Sequence, residues 1–151
     1  MSMIRLIAKI IASLFGIGFV PVMPGTVASA VAAIIWWFMP ILGLWPAAVV
    51  LMVSLLVGLV VSHYATSGHG DPAWVVIDEL VGMWLVLSFL PHDYKLFISA
   101  FILFRFFDIK KPFGIKQVQY LPGAWGVMLD DCAAGALAAF LLAIICNVRP
   151  F

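Results

Sequence analysis

The stretch Ala47-Ala48-Val49-Val50-Leu51-Met52-Val53-Ser54-Leu55-Leu56-Val57-Gly58-Leu59-Val60-Val61-Ser62-His63-Tyr64 contains no Lys, Arg, Asp or Glu. As a helix rising about 1.5 Å per residue it extends about 27 Å, within the range of lengths that cross the roughly 30 Å hydrocarbon core of a bilayer. The rest of the chain shares this character. Of its 151 residues, 66% are hydrophobic and 10% charged, with a mean hydropathy of +1.20, whereas a soluble domain runs about 45–50% apolar and about 25% charged. A water-soluble fold would have to expose much of this apolar surface, which argues against a soluble enzyme. Eight Lys and Arg against seven Asp and Glu leave a net charge of +1, so no basic surface is available to neutralise nucleic-acid phosphates. Cys132 and Cys146 lie in Ala/Leu/Ile-rich surroundings with neither CxxC nor Cys/His spacing, and read as small buried hydrophobes.

Working outward, Pro, Gly and charge divide the chain into a single domain over residues 1–151. The sequence predicts an all-α, polytopic membrane bundle of about six helices. Ile4 to Phe15 carries Arg5 and Lys9 on one face opposite Leu and Ile, the pattern of an amphipathic helix at the interface. No small-residue cleavage site follows it, so it does not read as a signal peptide. Residues 27–45 (broken by Pro40 and Gly43), 47–64, 74–90, 96–107 and 127–148 supply the other five helices, mostly spanning. Residues 96–107 are short for a span and must tilt, thin the bilayer or extend. With these five crossing in alternation, Arg5, Lys9, Arg105, Lys110, Lys111 and Lys116 fall on one side, and Lys95 and Arg149 on the other. The side richer in Lys and Arg is cytoplasmic, which predicts a multi-pass membrane protein with its polar cluster on the cytoplasmic side.

This topology also gathers the polar residues at the cytoplasmic face. Asp78-Glu79 and Asp130-Asp131 are adjacent acid pairs inside two apolar helices, and Asp71 and Asp108 lie close to them. Ionised acids at membrane depth cost several kcal/mol unless paired, hydrated or bound to a cation, so they are candidates for function. Arg105 and Lys111 balance only part of that charge. A hard divalent cation such as Mg²⁺, bound by carboxylates, water and a substrate phosphate, fits the remainder; zinc ligation does not. Asp78, Glu79, Asp130 and Asp131 are the candidate metal ligands, and Gly82 and Gly135, each four residues after an acid, would let the two helices approach closely.

Arg105 and Asp108 are three apart on one helix face, and Arg105 and Lys111 are candidate phosphate ligands. Pro24-Gly25-Thr26 opens the first spanning helix, where free backbone N–H groups and a hydroxyl can bind an anion; a helix start capped by Thr26 would look the same. Two other readings of the acids compete, purely structural salt bridges to Arg105, Lys110 and Lys111, or an ion relay in a small ion-coupled membrane carrier. The absence of an internal repeat disfavours the carrier.

Four ordered motifs complete the picture: Gly18-Phe19-Val20-Pro21-Val22-Met23-Pro24-Gly25-Thr26-Val27-Ala28-Ser29, Asp71-Pro72 with Val76-Ile77-Asp78-Glu79-Leu80-Val81-Gly82-Met83-Trp84, Phe104-Arg105-Phe106-Phe107-Asp108-Ile109-Lys110-Lys111-Pro112, and Gly126-Val127-Met128-Leu129-Asp130-Asp131-Cys132-Ala133-Ala134-Gly135. Together, and collinear from about Gly16 to Gly135, they resemble the phosphatidylglycerophosphatase A family. The resemblance implies a Mg²⁺-dependent membrane hydrolase that removes the terminal phosphate of phosphatidylglycerophosphate to give phosphatidylglycerol in phospholipid biosynthesis. On this reading Asp78, Glu79, Asp130, Asp131, Arg105 and Asp108 are catalytic, and Pro24, Gly25, Thr26, Arg105, Lys111 and Asp71 bind substrate. The expected partners are the phospholipid substrate and the bilayer.

Overall fold

A computed structural model describes residues 2–66 and 72–145, so Asp71, Cys146 and Arg149 lie outside the described residues. The described residues form seven α-helices and no strand: α1 (Met3–Ala12), α2 (Pro24–Phe38), α3 (Leu44–Thr66), α4 (Ile77–Ser88), α5 (Tyr94–Lys110), α6 (Ile115–Val118) and α7 (Ala124–Ile145). The all-helical class is as expected; the count of six is one short, because the four-residue α6 has too few residues to leave a periodic pattern.

The boundaries follow local chemistry. Pro24 sits at the start of α2, where its missing N–H costs nothing. The helix stops at Phe38, just ahead of Pro40, instead of continuing to Trp45; Leu44 and Trp45 begin α3, whose first turn tolerates Pro46. Ser2 caps α1, which ends at Ala12 and not at Phe15, because Leu14 and Phe15 take positive φ. Asp93 caps α5 by accepting from the N–H groups of Lys95 and Leu96 at 2.9 and 3.0 Å. This helix is longer than the expected 96–107, whereas α4 is shorter than 74–90. Among the described residues, α3 and α7, at 23 and 22 residues, are the helices long and apolar enough to cross a membrane.

α4 is the hub. Nine of its twelve residues are buried, and α2, α3, α5 and α7 pack around it. The Trp84 indole N–H donates to the Ala32 carbonyl at 2.9 Å, fixing α4 to α2. Met83, Leu87, Phe104 and Met128 fill the centre. α3 has no polar face, yet buries only Ala47, Gly58, Val61 and Ser62; Val49, Met52, Val53, Leu56 and Val60 point outward. Such a helix, apolar all round and exposed on one side, has the length and composition of a membrane span. Cys132, expected to be buried, is half-buried on α7.

Candidate active site

The helices alternate in direction, so the starts of α2, α4 and α7 and the end of α5 converge. Asp78 and Glu79 lie in the first turn of α4, where free N–H groups favour acids. Asp130 and Asp131 lie deeper, about two turns into α7. The two helices meet at Gly82 and Gly135: a Cβ on Gly135 would lie 2.5 Å from the Gly82 carbonyl oxygen. That contact brings the two acid pairs to the same level.

Pro24, Gly25, Thr26, Asp78, Glu79, Arg105, Asp108, Lys111, Asp130 and Asp131 all line one cavity of about 420 Å³. Every sequence-predicted site residue within the described chain is therefore in one place. Asp108 bridges the cations, with Oδ2 2.6 Å from Arg105 Nη1 and Oδ1 3.4 Å from Lys111 Nζ. Arg105 Nη1 is also 3.8 Å from Glu79 Oε1.

The four expected metal ligands divide. Carboxylate oxygens of Asp78, Glu79 and Asp131 lie within 4.8 Å of one another, whereas Asp130 Oδ2 accepts from Lys111 Nζ. Lys111 itself stands at the end of α5 in the left-handed conformation, φ 45°, which a non-glycine residue rarely adopts and which aims it back into the cavity. Burial alone would lower the pKa of its ammonium. The hydrogen bond to Asp130 and the charges of Asp130, Asp108 and Asp131 outweigh that and hold it above the ordinary lysine range.

Among the described residues, five carboxylates thus face two cations. Glu79 Oε2, Asp131 Oδ2, Arg105 Nε and the Thr26 hydroxyl are buried and find no hydrogen-bond partner among the described residues. Orphaned polar atoms of both signs in one cavity are rare in a finished core. Here they leave oxygen ligands for a hard cation and donors for an anion.

The start of α2 differs from expectation. Met23 and not Thr26 is its cap, and the N–H groups of Thr26 and Val27 both donate to the Met23 carbonyl, at 2.9 and 3.1 Å. Pro24 lacks an N–H, and the Thr26 hydroxyl, which finds no partner among the described residues, is a donor this turn can offer an anion. Gly25 has a steric role that the sequence did not reveal, because a Cβ there would collide with the Glu79 carboxylate. Ser29 was also missed. Its hydroxyl donates to the Gly25 carbonyl at 2.7 Å and stands 3.5 Å from Arg105 Nη1. The available signal was a second hydroxyl, one turn beyond Gly25, in a helix whose only other polar side chain, apart from its tryptophans, is Thr26.

A sequence profile described as phosphatidylglycerophosphatase A matches residues 10–146. A Bacteroides thetaiotaomicron protein, provisionally named a phosphatidylinositol-3-phosphatase, is 38% identical over 86% of this chain and 87% of its own. Proteins named phosphatidylglycerophosphatase A from Escherichia coli and Haemophilus influenzae are 33% and 32% identical, covering 90% and 85% of this chain and 81% and 82% of theirs. No solved structure matches significantly.

Proposed function

The chain belongs to the phosphatidylglycerophosphatase A family of phosphatases, and from that premise we propose that it hydrolyses the terminal phosphate monoester of phosphatidylglycerophosphate, releasing phosphatidylglycerol and inorganic phosphate. The observation that carries this reading is the five-to-two excess of carboxylates over cations around a cavity that still holds unpartnered donors and acceptors. A site built only of structural salt bridges would be closer to balance.

We assign Asp78, Glu79 and Asp131 as the ligands of Mg²⁺. When bound, the ion supplies positive charge to the phosphate oxygens and lowers the pKa of a water. Arg105, held from one side by Asp108 and Glu79, presents its unpartnered Nε to a phosphate oxygen. Lys111, held charged by Asp130, adds a second cation for the negative charge of the transferring phosphoryl group. Asp108, engaged by both cations, is a positioning residue. The Thr26 hydroxyl donates to the phosphate or to its glycerol linkage.

The protein lies in the bacterial inner membrane as a multi-pass bundle. α3 and α7 cross it, and the shorter α2, α4 and α5 complete the bundle with α4 shielded inside. Arg5, Lys9, Arg105, Lys110, Lys111 and Lys116 all belong to segments at the cavity end, and Lys95 to the start of α5 at the other. This charge distribution supports a cavity open to the cytoplasm.

The deciding assay is phosphate release by detergent-solubilised protein from phosphatidylglycerophosphate, phosphatidylinositol 3-phosphate, phosphatidic acid and a soluble monoester, with and without Mg²⁺. The first lipid should be turned over best. Preference for the inositol lipid would move the head group while keeping the chemistry. Ion flux in proteoliposomes without phosphate release would instead favour the carrier.

A further inference from the structure

A second cavity, of about 310 Å³, runs between α2 and α5 on the outside of the bundle. Ala30, Ala33 and Trp37 form one wall, and Phe97, Ile98 and Phe101 the other. Its lining is apolar throughout. Along the two helices it begins just beyond the contact of Ser29 with Arg105. Ser29 and Arg105 meet at 3.5 Å, and the next groove residues on each helix are Ala30 and Phe101. From there the two walls run in parallel for about two turns, roughly 10 Å, to a cluster in which Trp37 packs edge-on against Phe97 at 5.0 Å and stacks on His92 at 5.6 Å.

We propose that this groove binds an acyl chain of the lipid whose phosphate occupies the charged cavity; the assignment rests on the lipid-monoester reading above. Small residues on α2 leave the depth, and aromatic residues on α5 supply the contact area, of a slot for a methylene chain. Ile34 and Ile98, both more than half exposed, form an open outer rim through which a chain reaches the slot sideways from the bilayer. An apolar groove between α4 and α7, lined by Leu85, Phe89 and Phe140 among others, has similar size but a different relation to the site. The backbone contact at Gly82 and Gly135, covered by Phe104, lies between that groove and the acids. The α2–α5 groove instead starts next to Ser29 and one helical turn from Arg105, on the same two helices that carry those site residues.

Binding along this slot anchors the substrate remote from the reacting phosphorus, so filling it should penalise the lipid and spare a substrate without long chains. Ala33→Trp and Ile98→Trp should each raise the KM for long-chain phosphatidylglycerophosphate roughly tenfold, and leave kcat/KM for a short-chain, water-soluble analogue of the same head group within about twofold. Val53→Trp, on the exposed face of α3, should change neither. Equal losses on both substrates, or no loss on the lipid, would overturn the groove assignment. A readout independent of turnover is photolabelling in vesicles. A phosphatidylglycerophosphate with a mid-chain diazirine should label Ala30–Trp37 and Tyr94–Phe101 more strongly than a phosphatidylcholine bearing the same group, with the excess lost in Ile98→Trp. Equal labelling by the two lipids would reduce the groove to general bilayer contact. Wild-type protein that releases no phosphate yet shows the selective labelling would overturn the enzymatic reading and keep the groove.

Discussion

Gly135 of α7 crosses Gly82 of α4 so closely that a Cβ on Gly135 would lie 2.5 Å from the Gly82 carbonyl oxygen, and one on Gly82 would lie 2.8 Å from the Asp131 carbonyl oxygen. Both obstacles are backbone, which cannot swing aside. Gly135→Ala should therefore separate the helices that carry Asp78 and Asp131, at a cost of about 1–3 kcal/mol for overpacking. Thermal unfolding in detergent should show the lowered midpoint, with phosphate release falling in parallel. An unchanged midpoint would mean that the helices do not cross here.

The acids at this crossing should be indispensable to turnover. Asp131→Asn and Asp78→Asn preserve shape and remove charge, so each should lower phosphate release by at least about 10²-fold, the scale on which removal of a preorganised electrostatic contact acts. Retention of more than about a tenth of the activity would take that residue out of the site. Asp130→Asn should differ in kind, because its carboxylate serves Lys111.

A bound cation should also be visible without catalysis. Ligands that bind only the folded state stabilise it in proportion to RT ln(1 + [L]/Kd). Mg²⁺ added to chelator-treated protein should raise its thermal midpoint and restore phosphate release, and Asp131→Asn should abolish the midpoint shift. If Mg²⁺ leaves wild type and variant alike unmoved, and chelator does not reduce turnover, the three-carboxylate assignment fails.

The acid pairs, the cations and their common face were legible because charge in so apolar a chain is scarce and costly, and the helix alternation follows from the Pro and Gly breaks. The Gly82–Gly135 approach was legible from spacing. Which member of Asp130-Asp131 faces which partner was not: adjacent residues project about 100° apart, and the rotation of α7 is set by packing against α4 and α5. The role of Gly25 was hidden for a similar reason, since Glu79 reaches it from another helix. Segment ends also shifted. Asp78 sits in the first turn of α4 because the helix begins only at Ile77, after the Val76 N–H has bonded to the distant Ala12 carbonyl at 2.9 Å.

The Lys111–Asp130 pair predicts a pH effect. The folded-state pKa of Lys111 lies above its unfolded value, so the stability it contributes is complete below about pH 10.4 and is lost only as pH rises through the folded value. Wild-type activity should consequently show no alkaline limb from Lys111 below about pH 10. Asp130→Asn removes a major part of the support that opposes desolvation, so it should bring an alkaline limb to lower pH in the kcat/KM profile. An Asp130→Asn profile superimposable on wild type would separate Lys111 from turnover.

Gly25 offers the sharpest separation of structure from chemistry. A methyl group at this position would collide with the Glu79 carboxylate and come within 3.2 Å of Arg105 Nη1. Both obstacles are ends of long side chains that can move, so Gly25→Ala should fold, and alanine's higher helix propensity, worth up to about 1 kcal/mol in a helix interior, offsets part of any packing loss. Movement of Glu79 would nevertheless displace one of the three carboxylates and loosen its hold on Arg105. Misplacement of a catalytic group by about 1 Å costs on the order of 10²-fold. Gly25→Ala should therefore keep a near-wild-type thermal midpoint while losing most phosphate release, and its Mg²⁺-induced midpoint shift should shrink. If Gly25 merely starts a helix, alanine will be accepted with activity intact, and the close approach of α2 to Glu79 will have no part in the chemistry.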